Sequence, residues 1–246
     1  MILEVCIDSL ASARAAIRGG ADRLELCSAL ALGGLTPYTA LLQQIRKESN
    51  IPIRCLIRSR SGDFLYNQAE IDLMTMQIQQ LRSAGSNGFV IGCLTADGDL
   101  DMEAMRPLIT AASGSTLTLH RCIDVSRDPL KTYLDAGTLG FDTVLTSGAA
   151  ASCTSGIDTI ANLLELRDLH NGPEVLIGAG VSTSNILNLR SALPKARAFH
   201  ASCKELIDSR MIFRRSDVPM GLPGLDEWHI QQTNELAVRT LKESLL

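Results

Sequence analysis

Gly20-Ala21-Asp22-Arg23-Leu24-Glu25-Leu26-Cys27 joins a tight turn to a strand whose side chains alternate in polarity. The two leucines lie on one face and Glu25 on the other, as the two-residue period of a β-strand requires. The glycine can end a helix that Ser9 caps. Similar turns precede two later apolar stretches, at residues 85–87 and 140–142. The recurrence indicates that one helix–turn–strand unit is used repeatedly.

The same unit can be followed along the whole chain. Eight short apolar strands are predicted, each followed by an amphipathic stretch, at residues 2–6, 23–27, 53–58, 88–93, 115–120, 142–145, 174–177 and 196–201. This alternation is typical of a parallel sheet with helical crossovers. At 246 residues, the α/β class is best satisfied by a single (β/α)₈ TIM-type barrel. An open doubly wound sheet is the alternative, although no GxGxxG follows the first strand.

The domain organisation follows from the absence of a linker or low-complexity tract. Residues 1–246 are predicted to form one TIM-barrel domain, in which a C-terminal helix at about 226–244 closes the barrel. The segment 211–224 is rich in Arg, Pro and Gly. It is interpreted as a surface loop, with a mobile lid as the alternative.

Composition excludes several classes of protein. The net charge is −4 and basic residues form no run, so neither nucleic acid nor a membrane surface is an expected partner. The longest apolar stretches have the length of strands, too short to cross a membrane. No signal peptide is recognised, so a cytoplasmic location is expected. The seven cysteines, an odd number, are then expected to be reduced thiols.

Ionisable residues interrupt strands that should be apolar on both faces. They are Glu4, Arg23, Glu25, Arg58, His120 and His200. Burying such groups is costly unless they are paired and hydrogen-bonded, so we expect them in the barrel lumen near its mouth. The C-terminal ends of barrel strands carry active sites. The alternative is a structural ion-pair network without chemistry.

One candidate site at this mouth binds an anion. Glycine-containing turns follow the sixth and seventh strands, and glycine lets backbone N–H groups approach a ligand. Arginines can add bidentate contacts to phosphate or carboxylate. The candidate residues are Arg23, Arg58, Arg60, Arg121, Thr146, Ser147, Gly148, Gly178, Gly180 and His200. The alternative is that these turns only shape loops.

A second candidate site binds a soft metal. Cys6 and Cys27 occupy matching positions on adjacent strands, and thiolate ligands select Cu(I). No C-x-x-C or H-x₃-H spacing indicates structural zinc. Packing of small core residues is the alternative, and barrel stagger can offset the two sulfurs. A cysteine nucleophile with His120 or His200 as its base is a further possibility.

The chain resembles the CutC family from residue 1 to about residue 221. Beyond the quoted stretch, the matching segments are Leu3-Glu4-Val5-Cys6, Gly33-Gly34-Leu35-Thr36-Pro37, Gly62-Asp63-Phe64, His120-Arg121, Val144-Leu145-Thr146-Ser147-Gly148 and Gly178-Ala179-Gly180-Val181. The resemblance implies a TIM-like barrel, a cytoplasmic protein and an association with copper tolerance. It also implies Cu(I) binding at Cys6 and Cys27, which match the family's two strand-end cysteines. Ser59 and Ser61 stand where the family usually has Pro and Gly.

Two functional hypotheses follow, from different classes. The first is a cytoplasmic copper-homeostasis protein that binds Cu(I) through Cys6 and Cys27. The second is an enzyme acting on a small anionic metabolite, with Glu25, His120 and Asp124 as catalytic residues. A barrel with a purely structural role is a third interpretation. A homodimer is the expected assembly in each case.

Overall fold

Eight parallel strands close into a barrel in chain order in the computed structural model, which describes residues 1–215, 217, 218, 221 and 226–246. The TIM-type barrel predicted from the sequence is therefore confirmed. The strands are β1 (Ile2–Ile7), β2 (Arg23–Leu26), β3 (Ile53–Leu56), β4 (Gly88–Ile91), β5 (Thr116–Leu119), β6 (Thr143–Thr146), β7 (Glu174–Ile177) and β8 (Ala198–Ala201).

A helix follows each of the first seven strands, and four of these helices begin at a residue whose side chain caps the first turn. The helices are α1 (Leu10–Arg18), α2 (Thr39–Glu48), α3 (Gln68–Ser83), α4 (Met102–Ala111), α5 (Pro129–Thr138), α6 (Ile157–His170) and α7 (Ile186–Ala192). Ser9 caps α1 by accepting the Ser12 N–H, as expected. Asn67 and Glu70 form a capping box at the start of α3. Among the described residues, no helix has the length and apolar character that a membrane crossing requires.

The two faces of each strand have different surroundings. On β1, the side chains of Leu3, Val5 and Ile7 belong to the large apolar core between the barrel and its helices. The alternate residues Glu4 and Cys6 therefore face the lumen. The glycines of the recurring turn have the positive φ angles that glycine adopts most easily: +89° at residue 20, +99° at 85 and +81° at 140.

The chain departs from the expected pattern after β8. Lys204–Asp208 (β9) and His229–Thr233 (β10) pair as an antiparallel hairpin, and only then does Glu235–Glu243 (α8) begin. The prediction of a helix over 226–244 is therefore wrong for its first part. The hairpin replaces the helix expected there because residues 229–233 find hydrogen-bond partners on β9.

Helix α8 packs against α1, where a Cβ on Gly19 would lie 2.6 Å from that of Val238. The segment 211–224, interpreted as a loop or lid, falls partly outside the described residues. The members that the structure describes, 211–215, 217, 218 and 221, are exposed.

Candidate functional site

A cavity of about 280 Å³ opens at the C-terminal mouth of the barrel. Its polar walls come from five strand ends and the turn after β5: Cys6, Glu25, Arg58, His120, Arg121 and His200. Its apolar walls include Leu56, Phe64, Leu145 and Val181. The structure thus gathers most of the ionisable residues singled out from the sequence around one opening, because the ends of parallel strands meet at one rim.

The register of the strands decides which side chains meet in this cavity. On β1 and β2, Glu4 lies opposite Arg23 and Cys6 lies opposite Glu25. On β1 and β8, Glu4 lies opposite His200. The stagger that closes a barrel therefore shifts Cys27 beyond the level of Cys6 and brings a carboxylate to the sulfur instead.

Glu4 is the centre of a buried ion network beneath the cavity. Its carboxylate pairs with Arg23, and its Oε1 lies 2.8 Å from Nδ1 of His200. Burial alone would raise the pKa of Glu4, but the charge of Arg23 and the hydrogen bond with His200 lower it to about 2. Arg23, predicted to bind an anion, instead neutralises Glu4 and does not line the cavity.

Cys6, Glu25 and His200 form the group that can hold a metal ion. One ligand atom from each lies within 4.8 Å of the other two. Nε2 of His200 is 3.8 Å from Oε2 of Glu25. Burial opposes the charge of His200, yet Cys6 and Glu25 raise the pKa of its imidazole well above the usual range. Burial raises the pKa of Glu25, and the negative charge of Glu4 raises it further.

Cys27 lies next to this group but outside it. Its Sγ donates to Oε2 of Glu25 at 3.4 Å. Leu56 and Val90 pack with it in a small apolar cluster, and Cys27 itself does not line the cavity. Burial, followed by the charge of Glu25, raises the pKa of the Cys27 thiol well above its usual value. All seven cysteines are free.

Arg58 and His120 also line the cavity, and both contact Phe64. The guanidinium of Arg58 is 5.2 Å from the centre of the Phe64 ring, and the ring centres of Phe64 and His120 are 4.7 Å apart. Nδ1 of His120 accepts the Cys122 N–H at 3.2 Å. Burial, aided by the charge of Arg58, lowers the pKa of His120 to about 3, so its imidazole is neutral.

Asp124 has a structural position that bears on two predictions. Its Oδ1 accepts the Thr146 hydroxyl at 2.5 Å and the backbone N–H groups of Ser147 and Ala149 at 3.0 and 3.1 Å. The N–H of Gly148 donates to Oγ1 of Thr146 at 2.8 Å. The turn after β6 is therefore satisfied by the chain's own carboxylate and leaves these N–H groups unavailable to an anion. Asp124 accepts these hydrogen bonds, and its Oδ2 pairs with Arg121 at 2.7 Å; a catalytic role for it stays a prediction.

Of the other predicted anion ligands, some line the cavity and some do not. Arg60 lies outside the cavity lining, where it pairs with Asp63 at 2.9 Å and Glu70 at 2.5 Å. Gly180 lines the cavity, and its φ of +94° suits glycine. Gly178 gives room to a neighbouring side chain, since a Cβ there would lie 2.6 Å from Cδ1 of Leu145.

Sequence reasoning missed two contributors to the lumen. Arg54, on β3, is buried and donates to the hydroxyls of Thr118 and Thr143, the latter at 2.8 Å. It shares the lumen face with Arg58, four residues later, and this two-residue period was a usable signal. Phe64 lies in a loop, and no periodicity could have placed it in the cavity.

Comparison with known proteins agrees with this architecture. The model of the CutC family matches residues 1–204. The chain belongs to the CutC family. A CutC family protein of Chromobacterium violaceum is 42% identical, covering 99% of this chain and 98% of its own. The human protein named copper homeostasis protein cutC homolog is 39% identical over 98% of this chain and 87% of its own. The crystal structure of CutC from Streptococcus agalactiae superposes with a TM-score of 0.77 at 28% identity, covering 82% of this chain and 98% of that one.

Proposed function

We propose that this CutC family member acts in copper homeostasis by binding one Cu(I) ion at the barrel mouth, through Sγ of Cys6 and Nε2 of His200. The observation that carries the proposal is the group formed by Cys6, Glu25 and His200, whose ligand atoms lie within 4.8 Å of one another. The names of the human and Caenorhabditis elegans relatives, which refer to copper homeostasis, support the choice of metal.

The donor set favours a soft ion. Thiolate selects Cu(I) and imidazole suits copper, whereas carboxylate prefers harder cations. Cys6 and His200 are therefore the two principal ligands in the proposal. Glu25 lies beside them and supplies negative charge, and it becomes a third ligand only if the ion moves toward it.

The surroundings of His200 match those of a metal-binding histidine. Such a histidine usually presents its second ring nitrogen to a carboxylate, which fixes the ring orientation and raises the basicity of the ligand nitrogen. Here Nδ1 of His200 faces Oε1 of Glu4 at 2.8 Å, and Nε2 faces Glu25. Glu4 is in turn held by Arg23. The ring is thus oriented before any ion arrives.

Cys27 has a smaller part in this proposal than the sequence suggested. A thiol must lose its proton to bind a metal, and burial makes that loss costly for Cys27. Its S–H already donates to Glu25. We therefore place Cys27 behind the site, where it affects the orientation of Glu25.

Anaerobic titration with Cu(I) against a competing chelator tests the ligand assignment. Cys6→Ser should lower the affinity at least about 100-fold, because outer-shell changes alone already cost about 10–100-fold. Cys27→Ser is the matched control, since it removes a thiol of the same type nearby. It should change the affinity less than about tenfold. Equal losses in the two variants would restore the pairing of Cys6 with Cys27, and no loss in either would exclude this site.

A cytoplasmic location and a homodimer complete the proposal. The apolar side chains exposed on the β9–β10 hairpin, which include Leu206 and Ile230, support self-association. Light scattering coupled to gel filtration at several concentrations would measure the assembly, and a mass of 26.5 kDa at all of them would contradict a dimer.

A further inference from the structure

Arg58 is a buried cation without a counter-anion among the described residues. Its side chain donates to the carbonyl oxygens of Leu32, Gly34 and Gly62, at 3.1, 3.2 and 2.7 Å. Only 9% of the residue is exposed, and its Nε is buried without a hydrogen-bond partner. In the part of the chain that the structure describes, no carboxylate forms an ion pair with it. A charge in such a position is costly unless an anion joins it.

His120 has a matching unsatisfied donor. Because Nδ1 accepts the Cys122 N–H, the proton of the neutral imidazole is on Nε2. Nε2 is buried and has no partner among the described residues. An N–H group left without an acceptor in the interior destabilises the fold, so this tautomer is explained best by an acceptor that joins it.

The two residues line the same cavity, and both contact Phe64. Arg121 lies at the rim, where its Nε pairs with Oδ2 of Asp124 at 2.7 Å and 45% of its side chain is exposed. The cavity wall formed by Arg58, His120 and Arg121 shares no residue with the Cys6–Glu25–His200 group. It is built to receive negative charge rather than a cation.

We propose that Arg58 and His120 bind the carboxylate group of a small organic acid, with the Arg58 Nε–H and the His120 Nε2–H as its two donors. A carboxylate has two oxygens and can accept one hydrogen bond with each. A phosphate group requires more donors, and the turn after β6 cannot provide them because Asp124 occupies its N–H groups. The cavity volume of about 280 Å³ limits the acid to the size of a small metabolite.

Phe64 controls access to these donors. Its ring contacts both Arg58 and His120, and Phe64 also lines a second groove together with Gly62, Leu65 and Leu94. Because both donor nitrogens are buried, the proposal requires the ring to turn toward that groove and uncover the two N–H groups. Phe64→Leu should therefore accelerate association of the acid.

The first test uses the unmodified, copper-free protein. Succinate, pyruvate and inorganic phosphate are added separately, and the His120 ring signals are followed in long-range ¹H–¹⁵N spectra. Binding of succinate or pyruvate should shift the Nε2–H proton of His120 without protonating Nδ1. The proposal is overturned if phosphate binds more tightly than both acids, or if bound acid leaves this signal unchanged. Absence of binding by all three probes also overturns it.

Two variants of His120 separate the effect of losing the hydrogen-bond donor from the effect of losing the ring. The amide nitrogen of His120→Gln can replace Nε2 as a donor, whereas the shorter His120→Asn retains only the acceptor for the Cys122 N–H. Asn should weaken acid binding at least about tenfold, the loss of one charge-assisted hydrogen bond, and Gln should retain most of it. Equal binding by both variants contradicts the proposal. Acid binding is measured on copper-free protein and Cu(I) binding without the acid, so failure of the copper proposal and failure of this one are distinguishable.

Discussion

Glu4→Gln is expected to lower the free energy of unfolding by about 3 kcal/mol at pH 7. The carboxylate is fully buried and joins Arg23 to His200. Burial opposes its ionisation, but Arg23 and His200 lower its pKa from 4.5 to about 2. At about 1.36 kcal/mol per pKa unit, this shift corresponds to about 3 kcal/mol in favour of the folded state. Removing one partner from a buried ion pair typically costs about 3–5 kcal/mol, which agrees.

The pH dependence of this stabilisation has a definite sign. The pKa of Glu4 is lower in the folded than in the unfolded chain, so the stabilisation is complete above pH 4.5 and is lost as the pH falls toward 2. The wild-type protein should lose this contribution between those two values. The glutamine variant cannot titrate at residue 4 and should lack that part of the pH dependence.

Urea denaturation followed by circular dichroism measures both effects, at pH 7 and at steps from pH 5 to 3. Glu48→Gln is the matched control, because Glu48 pairs with Arg14 at 2.6 Å on the surface, where ion pairs contribute little. It should leave the unfolding curve nearly unchanged. The reasoning is refuted if Glu4→Gln costs less than about 1 kcal/mol, or if both variants show the same pH dependence as the wild type.

Three further predictions concern the barrel mouth and the turns next to it. Gly92→Ala should lower the free energy of unfolding, measured by thermal denaturation, by about 1–3 kcal/mol, because its Cβ would lie 2.5 Å from Sγ of Cys122. Gly137→Ala is the control, and its ordinary 3.4 Å contact should leave the free energy of unfolding unchanged. Asp124→Asn should cost about 1–3 kcal/mol by weakening the acceptor of the turn after β6, yet leave Cu(I) affinity unchanged in a chelator titration. Below the raised pKa of His200, Cu(I) affinity should fall with decreasing pH more steeply in the wild type than in His200→Phe, by about a further tenfold per pH unit, since the ion also displaces the imidazole proton; equal slopes would contradict the role of His200.

The barrel could be predicted because each of its determinants is local. Alternation of Leu24, Glu25 and Leu26 marks a strand whose two faces differ, and Gly20 marks the turn before it. Strand bounds shifted by a few residues at most, as hydrogen bonding at an element's end depends on its neighbours. The hairpin after β8 could not be predicted, because residues 229–233 become a strand only through pairing with β9.

The site was predicted in composition but not in pairing. The cost of burying charged groups correctly predicted that Glu4, Glu25 and His200 lie in the lumen, and strand alternation placed Cys6 with them. The stagger between strands is a property of the closed barrel, and it exchanged Cys27 for Glu25 as the neighbour of Cys6. Contacts between residues far apart in the sequence could not be predicted from it either.

Asp124 illustrates this second limitation. Its chemistry suited a proton carrier, and only the structure shows that it holds the turn after β6. His120 is a similar case, because its neutral state depends on burial and on the charge of Arg58, and its tautomer depends on the N–H of Cys122.

The central claim is that a thiolate and an imidazole, brought together by the register of β1, β2 and β8, hold one Cu(I) ion. X-ray absorption at the copper K-edge of the anaerobic 1:1 complex tests it most directly. One sulfur and one nitrogen neighbour are predicted, with the nitrogen signal lost in His200→Phe. Two sulfur neighbours, or a spectrum that Cys6→Ser does not alter, would contradict the account.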